Sequence, residues 1–389
     1  MTPIDPPSAR SHTVDGAVPR SWSAHLKHLV YLLLLSWVGF GTGRPATGQI
    51  SPPSRKLLIE FGWDEPDTRF LREHARVVEA TPFDGCVFHA VARKEDGSVE
   101  NFAWKFWGKT AYSEKEFADA FEDLRAARLE RFRHNFLRVN TTPADLDWFD
   151  DFGPILNNAR LAARLARAGG ARGLLFDVES YEGALFDFRK RRDATARSWD
   201  DYAAQVRLRG RQVMTAFQEG YPGLTVLLTF GPSLVDRQAR RAGVDPRETP
   251  DALLVPFVEG MASAREGSTR IIDGYELSYG YREPGQFDDA LATIRRLSPK
   301  LQAGFGLWLD YDWREKGWNV DDPSRNHFTP EGFQKALRAA LERTDEIVWV
   351  YTETPRWWTS DGGPAEKLPA RYVEAIREAR KGLADVAGP

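Results

Sequence analysis

The chain has 389 residues, 42% of them hydrophobic and 28% charged, and a single cysteine, Cys86. That length supplies apolar surface for one large domain or two ordinary ones and excludes a largely disordered chain, while one cysteine excludes a disulfide framework. With 53 basic against 56 acidic residues the net charge is −3, and no basic run marks a nucleic-acid backbone as ligand.

The N-terminal stretch reads as a leader. Pro, Ser and Thr dominate up to Ala24, then Lys27 and His28 precede an apolar run over residues 29–40. That run has the length of a signal-peptide apolar segment and falls short of the roughly 20 residues a membrane span needs. Ala46-Thr47-Gly48 before Gln49 offers small residues for cleavage. The expectation is a signal peptide over 1–48, a mature chain over 49–389 with net charge −5, export to the periplasm or the extracellular space, and no stable membrane association after cleavage.

From there, short β-branched or aromatic runs alternate with longer amphipathic stretches. The runs fall at 56–61, 86–90, 135–140, 173–179, 225–230, 271–278, 302–309 and 347–353. Helical patterns lie between them, among others over 155–168, 199–219, 287–297, 330–343 and 370–383. Ser198 before Trp199-Asp200-Asp201 supplies N-cap chemistry, and Thr329-Pro330 puts proline at the first helical position. Eight strands each followed by a helical segment predict an α/β fold, a (β/α)8 TIM barrel. The alternative, an open doubly wound sheet, lacks a Gly-rich phosphate turn after any strand. Residues 92–113 are an excursion after the second strand, and Asp96-Gly97 within it marks a hairpin expected to project over the barrel mouth.

Of 13 tryptophans, eleven follow the leader, and most sit at or just past the C-terminal ends of strands. In a barrel those ends share the face that carries the active site. An indole there offers a rigid apolar plate with one donor, suited to the C–H face of a sugar ring. Trp63, Trp308, Trp349 and Trp357 are the expected cleft walls.

Strand residues two apart point the same way. Asp177 and Glu179 therefore share a face with Leu175, while Leu174, Phe176 and Val178 take the other. Two neighbouring carboxylates repel, so one retains its proton to higher pH, as a general acid needs. Glu276 ends the sixth run, Asp310 the seventh, and Trp349, Tyr351 and Glu353 share a face on the eighth, where Arg356 is a possible partner for Glu353. His89, Arg138, Asn140 and Tyr279 complete the polar and aromatic set, and the first strand adds Glu60 and Asp64. Acids, an arginine, an asparagine and aromatics converging on one barrel end compose a carbohydrate cleft. The candidate catalytic residues are Glu179 as general acid, Asp177 as its modulator, and, as the opposing carboxylate, Glu276 first, then Glu353, with Asp310 as the third option. No cofactor is called for: His74, His89, His134 and His327 are not spaced as a metal-binding pair, and no G-x-S-x-G occurs.

With strands and acids placed, the chain resembles (β/α)8 glycoside hydrolases. The fourth-strand segment is similar to the end of the chitinase-like signature Asp-Gly-x-Asp-x-Asp-x-Glu: Gly173, Asp177 and Glu179 fit, whereas Arg172 and Leu175 stand where that signature has Asp. The resemblance implies that Glu179 protonates the glycosidic oxygen. A second likeness is to retaining barrel enzymes with the acid on the fourth strand and a nucleophile on a later one, although Val178 replaces the Asn that usually precedes that Glu. The expected substrate is an oligo- or polysaccharide, cleaved outside the cell. A barrel that binds carbohydrate without cleaving it, and a polysaccharide lyase, remain the alternatives.

Overall fold

The computed structural model describes residues 56–383. The expected leader and cleavage site lie outside the described residues.

The eight runs become eight parallel strands: β1 (Leu57–Gly62), β2 (Gly85–Phe88), β3 (Phe136–Asn140), β4 (Gly173–Asp177), β5 (Thr225–Leu228), β6 (Arg270–Asp273), β7 (Gln302–Ala303 and Phe305–Trp308) and β8 (Ile347–Thr352). Each pairs with the next in parallel register, and β1 returns to β8 from Leu57↔Ile347 to Gly62↔Thr352. The seventh strand is interrupted at Gly304: its first segment pairs with β6 and its second with β8. The sheet thereby closes into a (β/α)8 barrel, and the strands are buried on both faces, as parallel strands with outer helices are.

The helices follow the expected pattern and carry the expected caps. Ser198 caps Trp199–Gly220 through a reciprocal box with Asp201, and the Thr329 side chain accepts from the Gly332 amide at the start of Pro330–Arg343. No helix of the described residues is long and apolar enough to cross a membrane.

Strand alternation sorts the core into two layers. Leu57, Ile59, Phe61, Val87, Phe136, Leu175, Leu227, Ile272, Ile347 and Trp349 fill the barrel interior. The alternate residues, Leu58, Cys86, Leu174, Phe176 and Val178 among them, pack under the helices. Trp349 is accommodated inside because its register partner on β7 is Gly306. A Cβ at Gly306 would come within 2.7 Å of the indole. The indole Nε1–H donates to the Gly274 carbonyl at 2.8 Å.

The excursion after β2 does contain the hairpin, Val91–Arg93 antiparallel to Val99–Asn101, with Gly97 at φ 85° in the turn. Only part of it reaches the mouth. Asn101 and Trp104 lie there, whereas Phe102, Phe106 and Trp107 are fully buried, and Phe106 stacks on Phe217 from the helix after β4. A run this apolar folds back into the outer layer, so the expected projection over the mouth is reduced to Asn101 and Trp104.

Candidate active site

The C-terminal ends of the strands enclose a cleft of about 690 Å³. Its floor is set by β4. Leu175 points into the interior cluster and Asp177, two residues on, rises above it, 1% exposed. Both oxygens of Asp177 are engaged. Oδ2 accepts from Arg138 Nη2 at 2.8 Å and from the Tyr181 hydroxyl at 2.9 Å, while Oδ1 accepts from the Glu179 amide at 3.2 Å and from Thr229 Oγ1 at 3.4 Å. Arg138 in turn reaches Glu65 Oε2 at 3.0 Å, and His89 Nδ1 lies 3.2 Å from the other Glu65 oxygen. Thr141 Oγ1 donates to the Glu179 carbonyl at 2.8 Å. Asp177 is thus a positioning group: it fixes the backbone from which Glu179 extends into the cleft.

Glu276 arrives differently from the expectation. The sixth strand stops at Asp273, and Tyr275 adopts φ 44°, ψ 59° before a short 3-10 turn over Glu276–Ser278. Simple alternation does not operate there; the left-handed residue swings Glu276 into the same cleft as Glu179. The Asp273 carboxylate stabilises this corner by accepting from the Tyr275 amide at 3.1 Å and from Ser233 Oγ at 3.3 Å.

An aromatic wall stands beside Glu276. Tyr279 and Tyr351 stack at 5.5 Å with 13° between their planes, and Trp308 meets both edge-on at 5.7 Å. Trp63, 58% exposed, donates from Nε1 to the Tyr351 hydroxyl at 2.9 Å and closes that side. Trp104, in the turn just after the hairpin, also lines the cleft, 4.9 Å from the Tyr181 ring.

The electrostatics single out Glu179 and Glu276. Burial raises the Glu179 carboxyl and the adjacent Asp177 charge adds to this, while the Tyr181 hydroxyl and Arg138 oppose it. Burial holds Glu276 well above the usual carboxylate range, and the charges of Glu179 and then Asp177 push it further, against a hydrogen bond from Tyr279. The two carboxyls lie in one another's field and act as a coupled pair that retains a proton to higher pH than isolated glutamates.

Glu353 has another task. Oε2 accepts from Trp313 Nε1 at 2.6 Å, and Oε1 accepts from Arg314 Nη2 at 2.6 Å and from the Tyr351 hydroxyl at 3.2 Å. Its ion-pair partner is Arg314, not Arg356. With both oxygens occupied, Glu353 braces the wall. Asp310, 1% exposed, lies below it and accepts from the Glu353 and Thr354 amides at 3.1 and 2.8 Å and from Trp308 Nε1 at 2.8 Å. It ties the ends of β7 and β8 together instead of facing the cleft.

Glu179, Glu276, Glu353, Trp63, His89, Arg138, Tyr279, Trp308 and Tyr351 are therefore brought around one cavity, with Asp177 at its floor. Besides Asp310 and Glu353, four expectations are corrected. Trp349 fills the barrel interior. Trp357, 4% exposed, packs its ring edge-on against Phe83 at 4.6 Å among the outer elements. Asn140 is fully buried and accepts from the Thr142 amide at 3.0 Å. Glu60 lies on the opposite strand face from Phe61, so it is buried under the helices next to Asp64. Sequence reasoning missed Glu65, Thr229 and Arg314 as cleft residues. Thr229 and Arg314 lie just past strand ends and carried no pattern, while Glu65, two residues after Trp63, stood in the right loop.

Among the described residues, no group of three or more His, Cys, Asp or Glu side chains is placed to hold a metal ion.

No protein-family model matches the sequence, and no curated protein does. Solved structures match as barrels. An exo-β-1,4-mannosidase from an Opitutaceae bacterium is 12% identical, covering 85% of this chain and 61% of its own, with TM-score 0.45. A hyperthermophilic endocellulase from Pyrococcus horikoshii is 8% identical over 84% of this chain and 92% of its own, with TM-score 0.40. A sugar phosphate isomerase/epimerase from Parabacteroides distasonis is 11% identical over 88% of this chain and all of its own, with TM-score 0.39. These proteins perform different chemistries, and likeness at this level assigns none of them to this chain.

Proposed function

We propose that the protein is a glycoside hydrolase in which Glu179 and Glu276 form the catalytic carboxyl pair. The observation that carries this reading is the convergence of these two proton-retaining carboxyls, from β4 and from the corner after β6, on one aromatic-walled cavity. In the reaction the bond between the anomeric carbon and the glycosidic oxygen breaks. A protonated carboxyl delivers its proton to the leaving oxygen, and water supplies hydroxide to the anomeric carbon and a proton back to the pair. Glu276 is assigned that proton because burial holds its carboxyl well above the usual range, whereas Glu179, which likewise faces two carboxylates and Arg138, is raised less. The proton-donor role expected for Glu179 thus passes to Glu276, and Glu179 serves as base or nucleophile. Asp177 and Arg138 position Glu179, and Trp63, Trp308 and Tyr351 offer faces for sugar rings.

The reading includes export, with residues 1–48 as a cleaved leader; N-terminal sequencing of protein secreted by a producing cell tests that part. Incubating purified protein with a panel of polysaccharides and measuring new reducing ends tests the activity. Absence of cleavage across the panel, together with saturable binding to one glycan, would favour the non-catalytic barrel.

A further inference from the structure

The cleft does not end at Trp63. A second hollow of about 660 Å³ continues on the far side of that ring, bounded by Asp64, Phe70, His74, Trp358 and Thr359. Four residues belong to both hollows: Trp63, Glu65, His89 and Arg356. Trp63, 58% exposed, thus borders both hollows, which fits a chain of sugars passing from one to the other beside it.

Arg356 stands at this junction and differs from the other arginines of the two hollows. Arg138 is paired with Glu65 and Asp177, Arg314 with Glu353, and Arg69 with Glu73. Among the described residues Arg356 has no ion-pair partner, and its Nη1 is buried without a hydrogen-bond acceptor. A buried charged donor left unsatisfied in this way is destabilising, so a ligand acceptor there is favoured. Its main chain is fixed: the Arg356 amide donates to the Glu366 carbonyl at 2.9 Å, and the Glu366 amide donates back at 3.0 Å. Its guanidinium lies 5.7 Å from the centre of the Trp63 ring. Glu60 and Asp64 feel the Arg356 charge from under the strand, where burial raises both carboxyls, Asp64 to about 6, but neither makes an ion pair with it.

We propose that the junction is a subsite for an anionic sugar residue, with Arg356 receiving its negatively charged group and Trp63 supporting its ring. The inference deepens the glycoside hydrolase reading and rests on it for the carbohydrate nature of the ligand. The shared chemistry is an oxyanion on a saccharide, a uronate carboxylate or a sulfate ester, either of which presents paired oxygens to a planar guanidinium.

The test is binding of three trisaccharides to the full chain, followed by Trp fluorescence and calorimetry: one neutral, one containing glucuronate and one sulfated. The expected result is tighter binding of one charged probe than of the neutral one. Arg356→Met should weaken that probe roughly 10- to 100-fold and leave neutral binding within twofold, with Arg356→Lys intermediate, as expected for a charge-assisted hydrogen bond. The carboxylate and sulfate probes distinguish the two sources of charge. Unchanged melting of Arg356→Met establishes that it folds, and if it does not, Arg356→Lys carries the comparison. Equal binding of neutral and charged probes, or loss of both in Arg356→Met, overturns the proposal. Cleavage of a neutral glycan with no preference for charge would leave the hydrolase reading standing alone. Arg356-dependent binding of the charged probe without hydrolysis would leave the subsite standing alone, and release of an unsaturated, ultraviolet-absorbing uronate would identify a lyase.

Discussion

Arg138 sits between two acids, with Nη2 2.8 Å from Asp177 Oδ2 and Nη1 3.0 Å from Glu65 Oε2. All three side chains are nearly excluded from solvent, Arg138 at 11% exposure. Removing one partner from such a group leaves uncompensated buried charge and costs about 3–5 kcal/mol. Arg138→Met should therefore lower the unfolding free energy by that order, whereas Tyr181→Phe, which removes one hydrogen bond to Asp177, should cost about 1 kcal/mol. Urea denaturation of both variants checks this, and equal effects would contradict the positioning role.

The two faces of the barrel rim separate binding from folding. Trp63 is exposed and Trp349 is not. Trp63→Ala should leave the melting temperature near wild type and weaken saccharide binding about tenfold, as expected for loss of an aromatic platform. Trp349→Ala should cost about 3–5 kcal/mol of stability, because nothing nearby can fill the space over Gly306. Calorimetric melting with a saccharide titration distinguishes the two, and the reverse pattern would contradict the assignment of walls.

Stability should respond to pH in two opposite ways. Burial pushes the Asp273 carboxyl up to about 6, against hydrogen bonds from Tyr275 and Ser233. The folded state then binds a proton more tightly than the unfolded chain, so this contribution is fully present below the ordinary Asp range and is lost as pH rises through about 6. The difference of about two units corresponds to roughly 3 kcal/mol. Glu65 runs the other way. Its burial would raise it, but Arg138 and His89 together hold it low, so its contribution is present above the ordinary Glu range and lost as pH falls through its depressed value. Unfolding free energy should therefore decline between about pH 4 and 6 on account of Asp273, and Asp273→Asn should make that decline shallower. Identical slopes in the two proteins would refute the assignment.

The division of labour within the carboxyl pair can be read with leaving groups. Glu276→Gln should spare hydrolysis of a dinitrophenyl glycoside, whose leaving group departs without a proton, relative to the natural glycan. Glu179→Gln should lose both activities. The opposite pattern would return the proton to Glu179.

Much of this was legible in the sequence, and the failures have physical causes. Period-two alternation placed Asp177 and Arg138 on the inner side, because these strands run straight to their ends. The same rule put Glu276 in the cleft for the wrong reason: the strand had ended, and a left-handed Tyr275 did the turning. Trp349 obeyed alternation, but its depth depended on Gly306 across the register, which no local pattern discloses. Trp357 follows β8 by five residues, beyond the reach of strand geometry. Arg314 as the partner of Glu353 is a tertiary contact 39 residues apart.

Glu179 and Glu276 are proposed to break a glycosidic bond together. The most direct test of this proposal is the rate of reducing-end release from the glycan that the wild-type protein cleaves, measured for Glu179→Gln and Glu276→Gln. Each variant should retain wild-type melting and lose roughly 10²- to 10⁴-fold in turnover. A folded variant of either residue that hydrolyses the glycan at near wild-type rate would contradict it.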